Sequence, residues 1–517
     1  MGRLLPGITA YNWALVMLLA TGPMACGYAM SCLSGAIGQH GFYVSMGYTD
    51  DPSDSGYQRT SDFLSAASGT FIGGASVGAV IAAWAADALG RKLSLQLTTL
   101  VYMLGGSLQS GAVNPAMFLA ARVLSGIGMG SLLAVAPMYQ AELSPPESRG
   151  FLVAMTGFMF AIGNSLSCWI NVGTYFKGVH DPESGFAWRF PLAVQLLPTL
   201  ILLLGSPILP ASPRWLIMKE HHEEAEAVIR RLHGHLGDQA GEYAKREFNQ
   251  MSKQIAFDSS VSKQIGPFPI IRTASNRKRV FLAFNLLWGT QFLGLTTVGI
   301  YGVLVYQQLG MTGPMPLILQ AIWVSITMPG NFINAALVDR VGRRPLLLIG
   351  ICGILTCVIL NCTLQGLYLE PNFRPGLKAS IFLTFLMICF WSTCIDATQF
   401  VYISEIFPSY IRAQGQAVGT LGLTLSNVIL LVAAPIALDA IHWKFYLVNI
   451  SWTILFILTI FFLYPETSGK SIEDLSAIFG DVVVVSFEDA FLEDKEDIQG
   501  DRKASVLDTY QEIEIFK

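Results

Sequence analysis

Runs of mostly apolar residues, broken by short polar stretches, recur along almost the whole chain. A hydrocarbon core of about 30 Å takes roughly 20 apolar residues as helix. On that ruler twelve spans are predicted, near residues 11–37, 62–86, 93–112, 116–140, 151–173, 190–209, 280–306, 314–337, 346–368, 379–404, 413–438 and 443–464. The first span is long, has no small-residue cleavage site after it and is followed by further spans, so it reads as a retained helix rather than a signal peptide. Pro6 stands where a myristoylation signal needs Ser or Thr.

Composition agrees with this pattern. Of 517 residues 52% are hydrophobic and 13% charged, the mean hydropathy is +0.51, and ordinary soluble domains carry about a quarter charged residues. The basic residues then orient the chain. Arg91 and Lys92, Arg149, the Lys/Arg-rich segment 214–279, Arg340, Arg343 and Arg344, and Arg412 all fall in loops on one side. That side is expected to be cytoplasmic, with both termini; the plasma membrane is taken as the default location of such a multi-pass protein. All eight cysteines lie within predicted spans, which indicates neither a disulfide framework nor a zinc site. A formal charge of -4 gives no reason to propose nucleic acid as a partner.

Short polar motifs occur twice. "DALGRK" at 87–92 returns as "DRVGRR" at 339–344, "YQAELSPPESRG" at 139–150 as "YISEIFPSYIRAQG" at 402–415, and "PASPRWL" from Pro210 is answered by "PETSGKSIEDL" from Pro465. The offset is about 250 to 260 residues each time, the length of six spans and their loops. The fold class expected is therefore an all-α membrane protein of twelve helices in two pseudo-symmetric halves. The N-terminal six-helix half is 1–210 and the C-terminal half 279–464; 211–278 is a cytoplasmic linker with short helices and 465–517 an acidic tail. Within the linker, "EEAEAVIRRLHG" predicts a short amphipathic helix. Repeated halves imply a substrate site between them near mid-membrane, which is transporter architecture.

These motifs, in order, resemble the sugar porter family of the major facilitator superfamily, fungal members in particular. The resemblance rests on "DALGRK", Arg122 in "ARVLSGIGMG", "YQAELSP" with Arg149 and Gly150, "PASPRWL", "GTQFLG" to Tyr301, "DRVGRR", "YISEIFP" with Arg412, and "PETSG". It implies alternating access and a site for a small hydroxylated solute, with a sugar or polyol as the substrate, the bilayer as surroundings and protons as a candidate partner. Arg91, Glu142 and Arg149 in one half, and Arg343, Glu405 and Arg412 in the other, are candidate gating residues. Ion pairs between these helix ends would hold the cytoplasmic side shut, or else serve only to anchor the helices.

Sugars need side chains that both donate and accept hydrogen bonds. Against the family pattern, this chain has lost several amides. The span-five Gln position is Gly157. In span seven Gln291 and Gly294 remain, but a second Gln is Thr290 and an Asn is Thr296. The span-eight Asn aligns with Thr327, with Asn331 and Asn334 one and two turns on. The span-ten Trp is Phe400, and span eleven has Leu423 and Thr424 for an Asn-Trp pair, keeping Asn427. Gln291, Thr290, Thr296, Thr327, Asn331, Phe400 and Asn427 are the substrate-binding candidates. The smaller amide set leaves a second reading open: a non-sugar metabolite such as an organic acid or secondary metabolite, imported or exported. A third is a non-transporting nutrient sensor signalling through the tail.

Two charges lie inside spans away from their ends, Arg122 and Asp396. Where proton-coupled relatives carry an acid in span one, this chain has Ala29 after Gly27 and Tyr28, and where relatives commonly have Gly-Pro in span ten it has Asp396-Ala397. An ionised carboxylate at this depth costs at least about 2.5–3.5 kcal/mol, so it must face a cavity or a partner. Asp396 is a candidate proton carrier, a substrate ligand or a structural residue. Arg122 is its candidate charged partner, unless it snorkels towards the interface. No nucleophile–base set, phosphate loop or metal-spaced cluster appears, so neither an enzyme nor a cofactor is indicated. The glycines of "GTFIGGASVG" and "GIGMG" are expected to let helices pack closely.

Overall fold

The structure is a computed structural model that describes residues 10–37, 39–49, 56–144, 149–181, 185–232, 269–311, 314–368, 374–408, 411–441 and 444–468, with scattered positions in 245–256 and 475–480. No strand occurs among the described residues. Six spans are single helices or nearly so in the first part of the chain: Ala10–Ile37, Tyr57–Ala88, Arg91–Ser110, Pro115–Leu143, Arg149–His180, and Phe186–Val194 continued by Leu196–Gly205. Six more follow: Ala274–Gln291 with Leu295–Gln308, Met315–Ser325 with Thr327–Val341, Arg343–Tyr368, Arg374–Phe390 with Asp396–Ile406, Arg412–Ile441, and Phe445–Leu463. These are spans one to twelve below.

Several spans are broken, and the sequence gives the cause. Span six ends its first helix at Val194 and span eight at Ser325, four residues before Pro198 and Pro329. A proline has no N–H to give the carbonyl four residues back and its ring crowds that carbonyl. Span seven breaks after Gln291, where Gly294 takes φ +93°, a left-handed conformation that favours glycine.

Packing within each set of six is close. Span two lies on span four through small residues: a Cβ on Gly74 would stand 2.5 Å from the Val123 carbonyl oxygen, and Gly126 and Gly130 press as tightly on Phe71 and Ala75. The glycines of "GIGMG", with Gly74 and Gly78, are thus packing surfaces, as expected, whereas Gly69 and Gly73 of the other run have nothing within 4 Å. Across the sets, span eleven packs on span two, and span five on span eight. Two hydroxyl pairs sit on those seams: Ser76 donates to Thr424 at 2.7 Å, and Ser165 shares a hydrogen with Ser325 at 2.7 Å, beside Trp169, whose ring N–H reaches Ser325 at 2.9 Å.

The linker helix is His222–Leu232, with Glu223 and Glu224 in its first turn, Arg230 and Arg231 in its last, and Ala225, Ile229 and Leu232 buried. Acid at the start and base at the end suit the helix dipole. Most of 233–268 and of the tail, including its four-valine run, lies outside the described residues.

Candidate transport site

Span ten carries the centre of the candidate site. Between Phe390 and Asp396 the chain makes a π turn, Trp391–Ile395. Ser392 and Thr393 donate to the carbonyls of Ile388 and Cys389 at 2.8 and 2.6 Å, which draws hydroxyls into the ladder where the turn widens. An extra residue in one turn rotates everything after it by roughly 100°. Two glycines make room for the bulge. A Cβ on Gly330 of span eight would stand 2.5 Å from Ser392 Cβ, and one on Gly350 of span nine 2.6 Å from Cys394 Cβ.

The first turn after the bulge is a hub. Asn331 Nδ2 donates to Asp396 Oδ2 at 2.7 Å, and Thr398 donates to Asn334 Oδ1 at 3.1 Å, so span ten is tied twice to span eight. On its other side Thr290 donates to Gln399 Oε1 at 2.8 Å, Gln291 Nε2 reaches Thr290 at 3.4 Å, and Thr296 donates to Gln291 Oε1 at 3.0 Å. Asp396 is half-buried, whereas Gln399 and Asn331 are buried. Asn331 Oδ1 and Asn334 Nδ2 are buried with no partner. Opposite lies span five: a Cβ on Gly157 would be 3.3 Å from Ala397 Cβ and 3.5 Å from Asn331 Oδ1.

The structure therefore brings Gln291, Thr290 and Thr296 into one network and puts Asn331 beside Asp396. Other candidates fall elsewhere. Thr327 donates to the Val324 carbonyl of its own span, 2.6 Å, as hydroxyls in membrane helices often do. Phe400 packs partly against the core of the second six spans. Asn427 is buried with its Oδ1 unpartnered. Gln399 and Thr398 were not singled out from the sequence; the available signal was an amide and a hydroxyl within one turn of the span's only mid-depth carboxylate.

The expected pairing of Asp396 with Arg122 is not formed. Spans four and ten run in the same direction, and Arg122 is 7 residues from the start of its span while Asp396 is 22 from the start of its own. At 1.5 Å per residue they differ in depth by roughly 20 Å. Nor does Arg122 snorkel: it is 3% exposed. Its Nε donates to the Ala67 carbonyl at 2.9 Å and its guanidinium carbon stands 4.0 Å above the Phe71 ring.

At the motif-bearing ends the repeat becomes two matching clusters. Arg91 pairs with Glu142 at 3.0 Å and Asp87 at 3.1 Å, and Ser212 donates to Glu142. Arg343 pairs with Glu405 at 2.7 Å and Asp339 at 2.7 Å, and Thr467 donates to Glu405 at 2.7 Å. Tyr139 and Tyr402 donate to the carbonyls of Pro210 and Pro465 in the same way. Both clusters join helix ends within one set of six and neither spans the two sets. Arg412 Nε reaches the Phe407 carbonyl at 3.4 Å; the side chain of Arg149 lies outside the described residues.

Twelve spans in two matching sets, with polar side chains buried at mid-depth, define a membrane carrier rather than an enzyme. The chain matches the Sugar (and other) transporter family over residues 15–479 and belongs to it, the sugar porter family of the major facilitator superfamily. It is 31% identical over 409 residues to the MFS-type transporter criB of Aspergillus cristatus, covering 79% of this chain and 82% of that one. To the high-affinity glucose transporter of Kluyveromyces lactis it is 28% identical over 436 residues, 80% and 76% of the two chains. The fold superposes on the proton:xylose symporter XylE of E. coli, bound to 6-bromo-6-deoxy-D-glucose, with TM-score 0.77, 21% identity, and 91% and 99% of the chains covered.

Proposed function

We propose that this chain carries a small hydroxylated solute, a sugar or polyol, across the plasma membrane by alternating access, with both termini cytoplasmic and Asp396 loading and releasing a proton. The observation that carries this reading is the Asp396–Asn331 pair. Its carboxylate is held by a neutral amide, not by a cation. An amide serves either protonation state: its N–H donates to a carboxylate, and its oxygen, here unpartnered, accepts from a carboxylic acid. Donors and acceptors on Gln291, Gln399 and Asn334 nearby suit hydroxyl groups, and the glucose carrier of K. lactis and the XylE symporter supply the substrate class and the proton by likeness.

Alternating access implies two bodies that move against each other. The boundaries 1–210 and 279–464 make each charge cluster internal to one body, so Arg91–Glu142 and Arg343–Glu405 hold helix ends in register while the bodies rock. Their gating role, with Arg149 and Arg412, is to fix the helix ends of each body, so that contacts between the two bodies form or part together as one end opens.

The test is uptake of labelled hexoses, pentoses, disaccharides and polyols in cells lacking their own sugar carriers, with and without a proton gradient. Uptake of one member that follows the gradient, and loses that dependence in Asp396→Asn, is the expected result. Gradient-driven uptake that persists in Asp396→Asn removes the proton role. Entry of none, with the protein at the membrane, favours the second reading, a non-sugar metabolite. Gly157 in place of an amide and Thr327 bonded within its own span are the observations that speak for it.

A further inference from the structure

Arg122 carries a full positive charge in the interior of the first six spans. Arginine presents five N–H donors and cannot shed its proton in a protein. One donor, Nε, is used on the Ala67 carbonyl, and one side of the guanidinium is covered by Phe71. Its Nη1 is buried with no hydrogen-bond partner, and no carboxylate pairs with the group among the described residues. The neighbours that interact with it electrostatically, Cys32 and Tyr102, are neutral groups. An unpaired buried charge is far more costly than a paired one.

The face of span one towards this region is small and apolar. Cys26 Sγ donates to the span-four carbonyl of Met129 at 3.6 Å, and Tyr102 of span three donates to the Ala25 carbonyl at 3.1 Å. Ala29 is one turn below Cys32, whose Sγ donates to its carbonyl at 3.3 Å, and both are buried. A ring layer closes the bundle one turn away along span four: Phe118 meets Phe42 at 5.5 Å and Phe63 at 6.0 Å. A counter-ion here has to be small, singly charged and able to sit among Ala and Cys side chains in exchange for its water.

We propose that Arg122 is the core of an anion site, and that a small inorganic monoanion of the halide class neutralises it as a resident counter-ion between spans one, two, three and four. It is distinct from the solute site: Asp396 lies roughly 20 Å away in depth, and the inference stands whichever solute is carried. A carboxylate built into the span-one wall would do the same work, since its charge would meet the guanidinium directly.

Purified full-length protein in detergent, at constant ionic strength, is titrated with chloride against a bulky sulfonate. The melting temperature is expected to rise saturably, by about 1–2 °C at roughly tenfold excess over half-saturation. Bromide is expected to act like chloride. Arg122→Gln removes the charge, and Ala29→Asp supplies a fixed carboxylate; in both the chloride response is expected to vanish. A wild-type melting temperature indifferent to halide overturns the proposal, and so does a response that survives in Arg122→Gln. Stabilisation by acetate or lactate without stabilisation by chloride overturns the halide assignment in favour of a carboxylate ligand. If Ala29→Asp fails to fold, the Arg122→Gln comparison decides alone.

Discussion

The π turn of span ten aims Asp396, and Gly330 is the residue that lets the turn lie where it does. Alanine at 330 would put its Cβ 2.5 Å from Ser392 Cβ and 3.3 Å from the Ser392 carbonyl carbon, with the Ser392 hydroxyl closer still. Ser392 is fully buried and its hydroxyl is engaged with the Ile388 carbonyl, so it has nowhere to swing. Overpacking of this kind costs about 1–3 kcal/mol. Gly330→Ala is therefore expected to lower the thermal stability of the purified protein by that amount and to reduce uptake, because span ten must turn or withdraw and the Asn331–Asp396 bond at 2.7 Å goes with it. The decisive comparison is the swap. Ser392→Gly alone costs about 1 kcal/mol for a glycine inside a helix, but it removes the two nearest of the three atoms that the new Cβ would meet, leaving only the backbone carbonyl carbon at 3.3 Å. The double variant is expected to be no worse than Ser392→Gly, a coupling of at least about 1 kcal/mol in a double-mutant cycle. Losses that add would refute the claim that these two residues meet and that the bulge is seated on Gly330.

Asp396→Ala leaves Asn331 with neither amide group paired and is expected to cost about 1–3 kcal/mol, while Asp396→Asn keeps a partner and costs less than half as much, measured by thermal unfolding. Gln291→Ala is expected to lower uptake and leave the Thr296 hydroxyl without its acceptor; unchanged uptake removes Gln291 from the solute site. The two motif clusters are not equal: the Glu142 side chain is 4% exposed and that of Glu405 26%. Glu142→Gln is therefore expected to lose about 3–5 kcal/mol as a broken buried pair, and Glu405→Gln clearly less, because solvent screens what remains. A reversed order would mean that burial does not set the strength of these pairs.

The spans and the motif clusters were legible because their signals are local or repeated. Twenty apolar residues specify a membrane helix by length alone, and a motif that recurs after one set of six spans places Arg91 and Glu142, or Arg343 and Glu405, at matching helix ends. The pairing of Arg122 with Asp396 failed for the opposite reason. It rested on opposite charge, and charge says nothing about depth; counting residues from the ends of spans four and ten separates the two. The π turn was out of reach because it depends on Gly330 and Gly350, in two other spans, yielding space to Ser392 and Cys394. Gln399 was not legible because an uncharged amide three residues beyond Asp396 carries no cost in a membrane span that would single it out.

The two sets of six spans are alike at their motif-bearing ends and at the hydroxyl pairs on their seams, and unlike at the centre. In the second set, spans seven, eight and ten contribute Gln291, Asn331, Asn334 and Gln399. In the first, span five offers Gly157, and Thr156 beside it is spent inside its own set, donating to Gln140, whose amide N–H is in turn given to the Val16 carbonyl at 3.1 Å. The first set thus meets the site with backbone and apolar surface, and its own buried charge, Arg122, lies at another depth. On the function proposed, selection among solutes falls to the second set, and movement to both. Exchanging polar residues of spans seven, eight and ten should change which solute is carried, whereas changes in the first set should alter rate and stability without changing that choice.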